Sequence, residues 1–176
     1  MNKKIVVGCL LNWFLINTAV GQANLCQADE NIIFSCETEH NKLLSVCGSK
    51  QLSSSPGYLQ YRFGQPDKIE LTYPATQVLP ASAFQGRAQM FSGGGAVYLR
   101  FKIKEYDYIL YTGSGKGWAV NGLVLLDYSK FTSYLMCKND MVSEISPQLL
   151  EQLKIPQDSD DSEFFPADLP FKLISN

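Results

Sequence analysis

Histidine is almost missing: the 176 residues contain one, His40. Imidazole-based proton shuttles and multi-histidine metal sites are thereby reduced to a single candidate. That candidate lies in His40-Asn41-Lys42, between two apolar stretches, which reads as a solvated hairpin tip rather than a scaffolded catalytic base. Charge is sparse as well, at 18% of residues, and the formal net charge is −2. Without a basic excess the chain is a poor partner for a phosphate backbone, which argues against nucleic acid. No apolar run reaches the roughly 20 residues that a membrane-spanning helix needs. The five cysteines, at 9, 26, 36, 47 and 137, lack the close paired spacings of a zinc site. No internal repeat is present, and neither a metal nor a cofactor is expected.

What is present begins with an export address. Lys3 and Lys4 precede an apolar run from Ile5 to Ile16, interrupted by Asn12, and Gly21-Gln22-Ala23 offers small residues for cleavage after Ala23. Val6-Val7-Gly8-Cys9 has the order of a lipoprotein box. Only Ile5 to Gly8 would then form the apolar region, too short for such a signal, so Cys9 is expected to leave with the signal peptide. Residues 1–23 are thus read as signal, 24–155 as a single β domain with a short C-terminal helix, and 156–176 as an acidic linker and apolar tail. Removal of Lys3 and Lys4 leaves thirteen basic against seventeen acidic residues, a formal −4. The expected location is periplasmic or secreted.

Four cysteines remain, an even number suited to two disulfides in an oxidising compartment and open to three connectivities. A turn at Asn41-Lys42 would set Cys36 opposite Cys47. The preferred pairing is therefore Cys36 with Cys47, leaving Cys26 to join Cys137.

From Asn31 to about Asn139 apolar residues recur with a period near two, the signature of strands. Segments 31–38 and 43–47 form a first pair, and 58–63 with 68–73 a second. In the second, a connection from Gly64 to Lys68 would align Phe63 with Ile69, Tyr61 with Leu71, and Arg62 with Glu70. Segments 87–91, 96–104, 106–112, 118–127 and 131–137 continue the pattern. Val97, Leu99, Phe101 and Ile103 are assigned to the core, and Tyr98, Arg100 and Lys102 to a wet face. The fold class is all-β: an antiparallel meander of about eight strands closing as a barrel or a sandwich. Ser146 and Pro147 open the short helix, over 148–153.

Several segments invite a chemical reading. Glu70, Glu105, Asp107 and Asp127 are strand-borne acids of the kind a glycosidase pairs across a sugar, yet no spacing singles out two of them and surface acids are the ordinary alternative. Gly113-Ser114-Gly115-Lys116-Gly117 resembles a phosphate-binding loop only in part, with Leu110 where glycine belongs and Gly117 where the hydroxyl belongs; a tight turn is the better reading. Asp158-Ser159-Asp160-Asp161-Ser162-Glu163 has Glu163 where a calcium loop needs glycine, and reads as a solvated linker. Ser92-Gly93-Gly94-Gly95 leads into a strand carrying Tyr98, and serves either as a turn or as a loop projecting toward a partner.

Ser92-Gly93 with Tyr98, followed by Lys116-Gly117, is similar to the recognition loops of the exported bacterial inhibitors of lysozyme, small disulfide-bearing β barrels whose motif is Ser-Gly-x-x-Tyr; this chain has Ala96 where that spacing expects tyrosine. Tyr58-Leu59-Gln60-Tyr61-Arg62-Phe63-Gly64 with Ile69-Glu70-Leu71-Thr72-Tyr73-Pro74 resembles uncharacterised exported proteins of proteobacteria, which implies a compartment and no activity. The first resemblance implies a non-enzymatic binding protein, an inhibitor or immunity protein that blocks a basic cell-wall hydrolase such as lysozyme, with Ser92, Gly93, Tyr98 and Lys116 at the contact. The alternative is an envelope-assembly module that holds another protein through its aromatics and its tail, 164–174. A hydrolase ranks third.

Overall fold

The computed structural model describes residues 23–128 and 130–159. Residues 1–22, nearly all of the expected signal segment with its Cys9, and the tail from Asp160 fall outside them. Nine strands follow in order: β1 (Glu30–Thr38), β2 (Leu43–Ser49), β3 (Leu59–Gln65), β4 (Lys68–Tyr73), β5 (Gln85–Phe91), β6 (Gly94–Ile103), β7 (Tyr106–Gly115), β8 (Trp118–Asp127) and β9 (Lys130–Ser143). All pair antiparallel in one sheet ordered β4-β3-β2-β1-β9-β8-β7-β6-β5. The expected meander is present, joined through β1 and β9.

β9 is fourteen residues long, and its two halves have different neighbours. Met136 and the residues before it pair with β8, while Cys137 and those after it pair with β1. It therefore belongs to both halves of the sheet, which face one another across a common core as in a sandwich whose layers share a strand. Phe101 of β6 stands at the junction, with ring centroids 5.0 Å from Tyr61 of β3, 4.4 Å from Tyr73 of β4 and 4.9 Å from Tyr108 of β7. Ile33, Phe34, Leu44, Val46, Leu59, Leu99, Leu110 and Leu123 complete the packing.

The sheet does not close as a barrel, because its edge strands β4 and β5 do not pair. Between them run a connection with a one-turn helix, α1 (Pro80–Ala83), and the buried Phe84, neither foreseen in the Pro- and Ala-rich sequence. The edge of β5 is taken instead by the C-terminal strap: Gly86 N–H donates to Pro156 O and Gly86 O accepts from Asp158 N–H, both at 3.0 Å. A Cβ on Gly86 would meet Leu150 Cδ2 at 2.9 Å, so glycine there lets α2 (Pro147–Gln152) approach. The α2 N-terminus is as expected, with Ser146 accepting from Leu149 N–H and Pro147 in the first turn.

Both hairpin registers differ from the sequence reading. In β1–β2 the turn closes tightly from Thr38 to Lys42, so Cys36 faces Leu44 and Cys47 faces Ile32. An odd shift moves a residue to the other side of a sheet, and Cys36 and Cys47 indeed lie on opposite faces. The disulfides are consequently Cys26–Cys47 and Cys36–Cys137, with Cα–Cα distances of 5.3 and 5.5 Å. In β3–β4 a two-residue turn and a bulge set Phe63 against Leu71 and Arg62 against Thr72. Glu70 pairs with Lys42 rather than Arg62.

Candidate functional site: joined hairpin tips and buried ion clusters

The β5–β6 turn is Ser92-Gly93, and the β7–β8 turn is Lys116-Gly117. The β6–β7 register pairs Gly94 with Gly115, which brings the two turns to the same end of the sheet. They are joined directly: Lys116 N–H donates to Gly93 O at 2.8 Å. The glycines make this possible. Gly93 has φ +90°, and a Cβ on Gly94 would fall 2.7 Å from Trp118 Cζ2, so the indole lies against bare backbone. Ser92, Gly93, Ser114, Lys116 and Gly117 are exposed, and Met90 on neighbouring β5 is 83% exposed.

Three of the four residues expected at a contact are thus together, and Tyr98 is not with them. It lies within β6, only 2% exposed, and its hydroxyl donates to Asp158 Oδ2 at 2.8 Å. The face assigned to water is buried instead: Tyr98 and Arg100 are covered, and of that set only Lys102 reaches solvent. Burial and then Asp158 push the Tyr98 hydroxyl above its ordinary pKa.

Arg100 organises a cleft of about 600 Å³ near the β4 and β5 edges, which do not pair with each other, bordered by Tyr73, Phe84, Lys102 and Asp107. Its guanidinium lies 3.2 Å from Asp107 Oδ1 and 3.2 Å from Asp158 Oδ2. Asp158 is therefore a buried anchor and no part of a solvated linker, and the ordered domain reaches past residue 155. Lys102 adds a second cation, with Nζ 3.7 Å from Asp107 Oδ2, so two basic groups face the two carboxylates.

The remaining chemical candidates are dispersed. His40 is exposed in the β1–β2 turn. Asp107 opposes Leu126, which places Asp127 on the other face of the sheet, while Glu70 is engaged by Lys42 and Glu105 lies in the β6–β7 turn. Gly113–Gly117 is a strand end and tight turn leading into β8, not a loop opening a helix.

Sequence reasoning missed a second ion cluster on the outer side of β1–β3. Arg62 reaches Glu30 through two bonds of 2.6 and 2.7 Å, and Gln60 and Leu25 O accept its other N–H groups. Tyr58 O–H and Gln27 N–H complete the Glu30 carboxylate. Burial raises the Glu30 pKa, but Arg62, Gln27 and Tyr58 outweigh it and hold the group below the usual carboxylate range. Cys26 and Cys47 lie beside Glu30 with their ligand atoms within 4.8 Å, but the two sulfurs are bonded to each other. No local motif marks Arg62 and Glu30, since they are 32 residues apart and meet through tertiary packing. The Arg100 cluster carried a partial signal, because a tight turn at 104–105 places Lys102 opposite Asp107.

The two disulfides fit an oxidising, extracellular compartment, and among the described residues no helix is long and apolar enough to cross a membrane. Compared with family models, curated proteins and solved structures, the chain matches none.

Proposed function

We propose that this is a periplasmic or secreted binding protein without enzymatic activity, an inhibitor or immunity protein that inserts its joined hairpin tips into the cleft of a basic cell-wall hydrolase such as lysozyme. The observation that carries the reading is the hydrogen bond from Lys116 N–H to Gly93 O. It makes one projecting edge from two turns that are 23 residues apart in sequence. Ser92, Gly93 and Lys116 supply a narrow polar end, and Met90 an exposed apolar flank. Tyr98 works from behind, through its bond to Asp158, and makes no contact itself. The processed chain carries a formal −4, which attracts it to a basic enzyme, and that attraction acts chiefly on the association rate.

The test is an inhibition titration of the processed protein against several lysozyme types. Inhibition is expected at submicromolar concentration for at least one type. Lys116→Glu and Ser92→Arg should each weaken it on the order of 10-fold or more, the scale of a lost interface hot spot, while Lys104→Ala at the opposite end of the sheet leaves it unchanged. Raising the ionic strength should slow association. Absence of inhibition of every type at micromolar protein removes the proposal.

A further inference from the structure

The outer face of β6–β8 holds a second apolar cluster, separate from the main core: Tyr98, Ile109, Tyr111, Val120, Val124 and Leu126. Their exposures run from 4% down to 0%, with Val124 and Leu126 at 0%. The apolar side chains packed against this cluster, among the described residues, are Trp118, Tyr134 and Met136, all from β8 and β9 of the same sheet. Neighbours within a sheet flank a side chain laterally and leave its outward end open; full burial takes a further layer roughly 10 Å above the sheet. Helix α2 is not that layer, since Leu150 and Leu153 belong to the main core.

The chain itself arrives at this face. Asp158 is fixed by the Tyr98 hydroxyl and by Arg100, both on the outer side of β6. Seventeen residues follow Ser159, beginning with Asp160, Asp161 and Glu163 and continuing through Phe164, Phe165, Leu169, Phe171, Leu173 and Ile174. At about 3.3 Å per residue they reach up to roughly 55 Å, whereas three strands at about 4.8 Å spacing occupy roughly 15 Å. The β5–β6 register places Arg87 on the same side as Tyr98, and Lys102 shares the side of Arg100. Laid over this face, the segment would bring its first acids to a basic border and its apolar residues to the apolar centre. A tethered segment also competes at high effective concentration against any second molecule.

We propose that the outer face of β6–β8 is the docking surface of the chain's own C-terminal segment, with the apolar residues between 164 and 174 covering Val124, Leu126, Ile109 and Tyr111. The experiment compares the processed full chain with the double variant Phe164→Asp, Phe171→Asp, using the dye 8-anilinonaphthalene-1-sulfonate, limited proteolysis read by mass spectrometry, and light scattering. The full chain is expected to be a monomer that binds little dye and resists cleavage after residue 160. The double variant should bind several-fold more dye and lose its tail to protease, with circular dichroism and both disulfides unchanged. A chain ending at Ser159 should bind dye in the same way, and a synthetic peptide of residues 160–176 should suppress that binding. If this shorter chain does not fold, the double variant decides. Ready removal of the tail from the full chain without a rise in dye binding overturns the proposal, as it would for a tail kept free to hold another protein. A full-chain dimer unaffected by the two substitutions also overturns it, since a second copy would then be the cover.

Discussion

Arg62 is the residue whose loss should be felt most. It is buried with five hydrogen bonds to Glu30, Gln60 and Leu25, and its removal would leave the Glu30 carboxylate buried without its cation. Breaking one side of such a pair costs about 3 to 5 kcal/mol, so Arg62→Ala should lower stability by that amount in urea unfolding. The pair also sets an acid limit. Because folding lowers the Glu30 pKa, the unfolded chain takes up that proton first. The contribution is complete above the ordinary value of 4.5 and disappears as pH falls through the folded value. The urea midpoint of the wild type should therefore fall more steeply between pH 6 and pH 3 than that of Glu30→Gln. Tyrosine sets an opposite limit at alkaline pH. Burial raises Tyr61, Tyr98 and Tyr111 above the ordinary value of 10.0, so the unfolded chain loses these protons first and stability declines as pH rises beyond it. Tyr98→Phe removes one of the three, and its stability should decline less steeply between pH 9 and pH 11.

At the scale of elements, alternation identified the strands and turn chemistry hid their registers. The nine strands, against about eight expected, each overlap a segment with the period near two; β4 and β8 have the expected bounds, whereas β9 runs on to Ser143, past the expected end at Cys137. The β3–β4 hairpin shows why a register error can be harmless. The alignment was wrong by an even step, so Leu59, Tyr61, Phe63, Leu71 and Tyr73 kept their inward face, and only Ile69, beyond the bulge, turned out at 47% exposed. In β1–β2 the error was odd, and it exchanged the partners of both disulfides. A period of two also cannot distinguish a wet face from a second buried one when that face carries tyrosines and an arginine. Tyr98 and Arg100 read as wet because the residue that satisfies them, Asp158, lies more than fifty positions away in a run that looked like linker. The turns at Ser92-Gly93 and Lys116-Gly117 were legible from their glycines, whereas their junction required the β6–β7 register.

At the scale of the whole molecule, the two disulfides have different spans and should differ in consequence. Cys26–Cys47 closes a separation of 21 residues, holding the N-terminal segment on the outer side of β2. Cys36–Cys137 closes 101 residues and ties β1 to β9 where the two halves of the sheet meet. Chain entropy assigns about 3 kcal/mol to the first and between about 4 and 5 to the second. The first also has a substitute: Leu25 N–H donates to Ser45 Oγ, and Leu25 O accepts from Arg62, so the segment keeps anchors without its sulfurs. β9 keeps its ladder hydrogen bonds to both neighbours, but the join between β1 and β9 must then form by closing a loop of about a hundred residues unaided. Cys36→Ser with Cys137→Ser should consequently lower the urea midpoint more than Cys26→Ser with Cys47→Ser, and peptide mapping of the oxidised protein should return only those two linkages. Recovery of a Cys36–Cys47 peptide would contradict the β1–β2 register, because that linkage requires the two side chains to emerge on the same face of the hairpin.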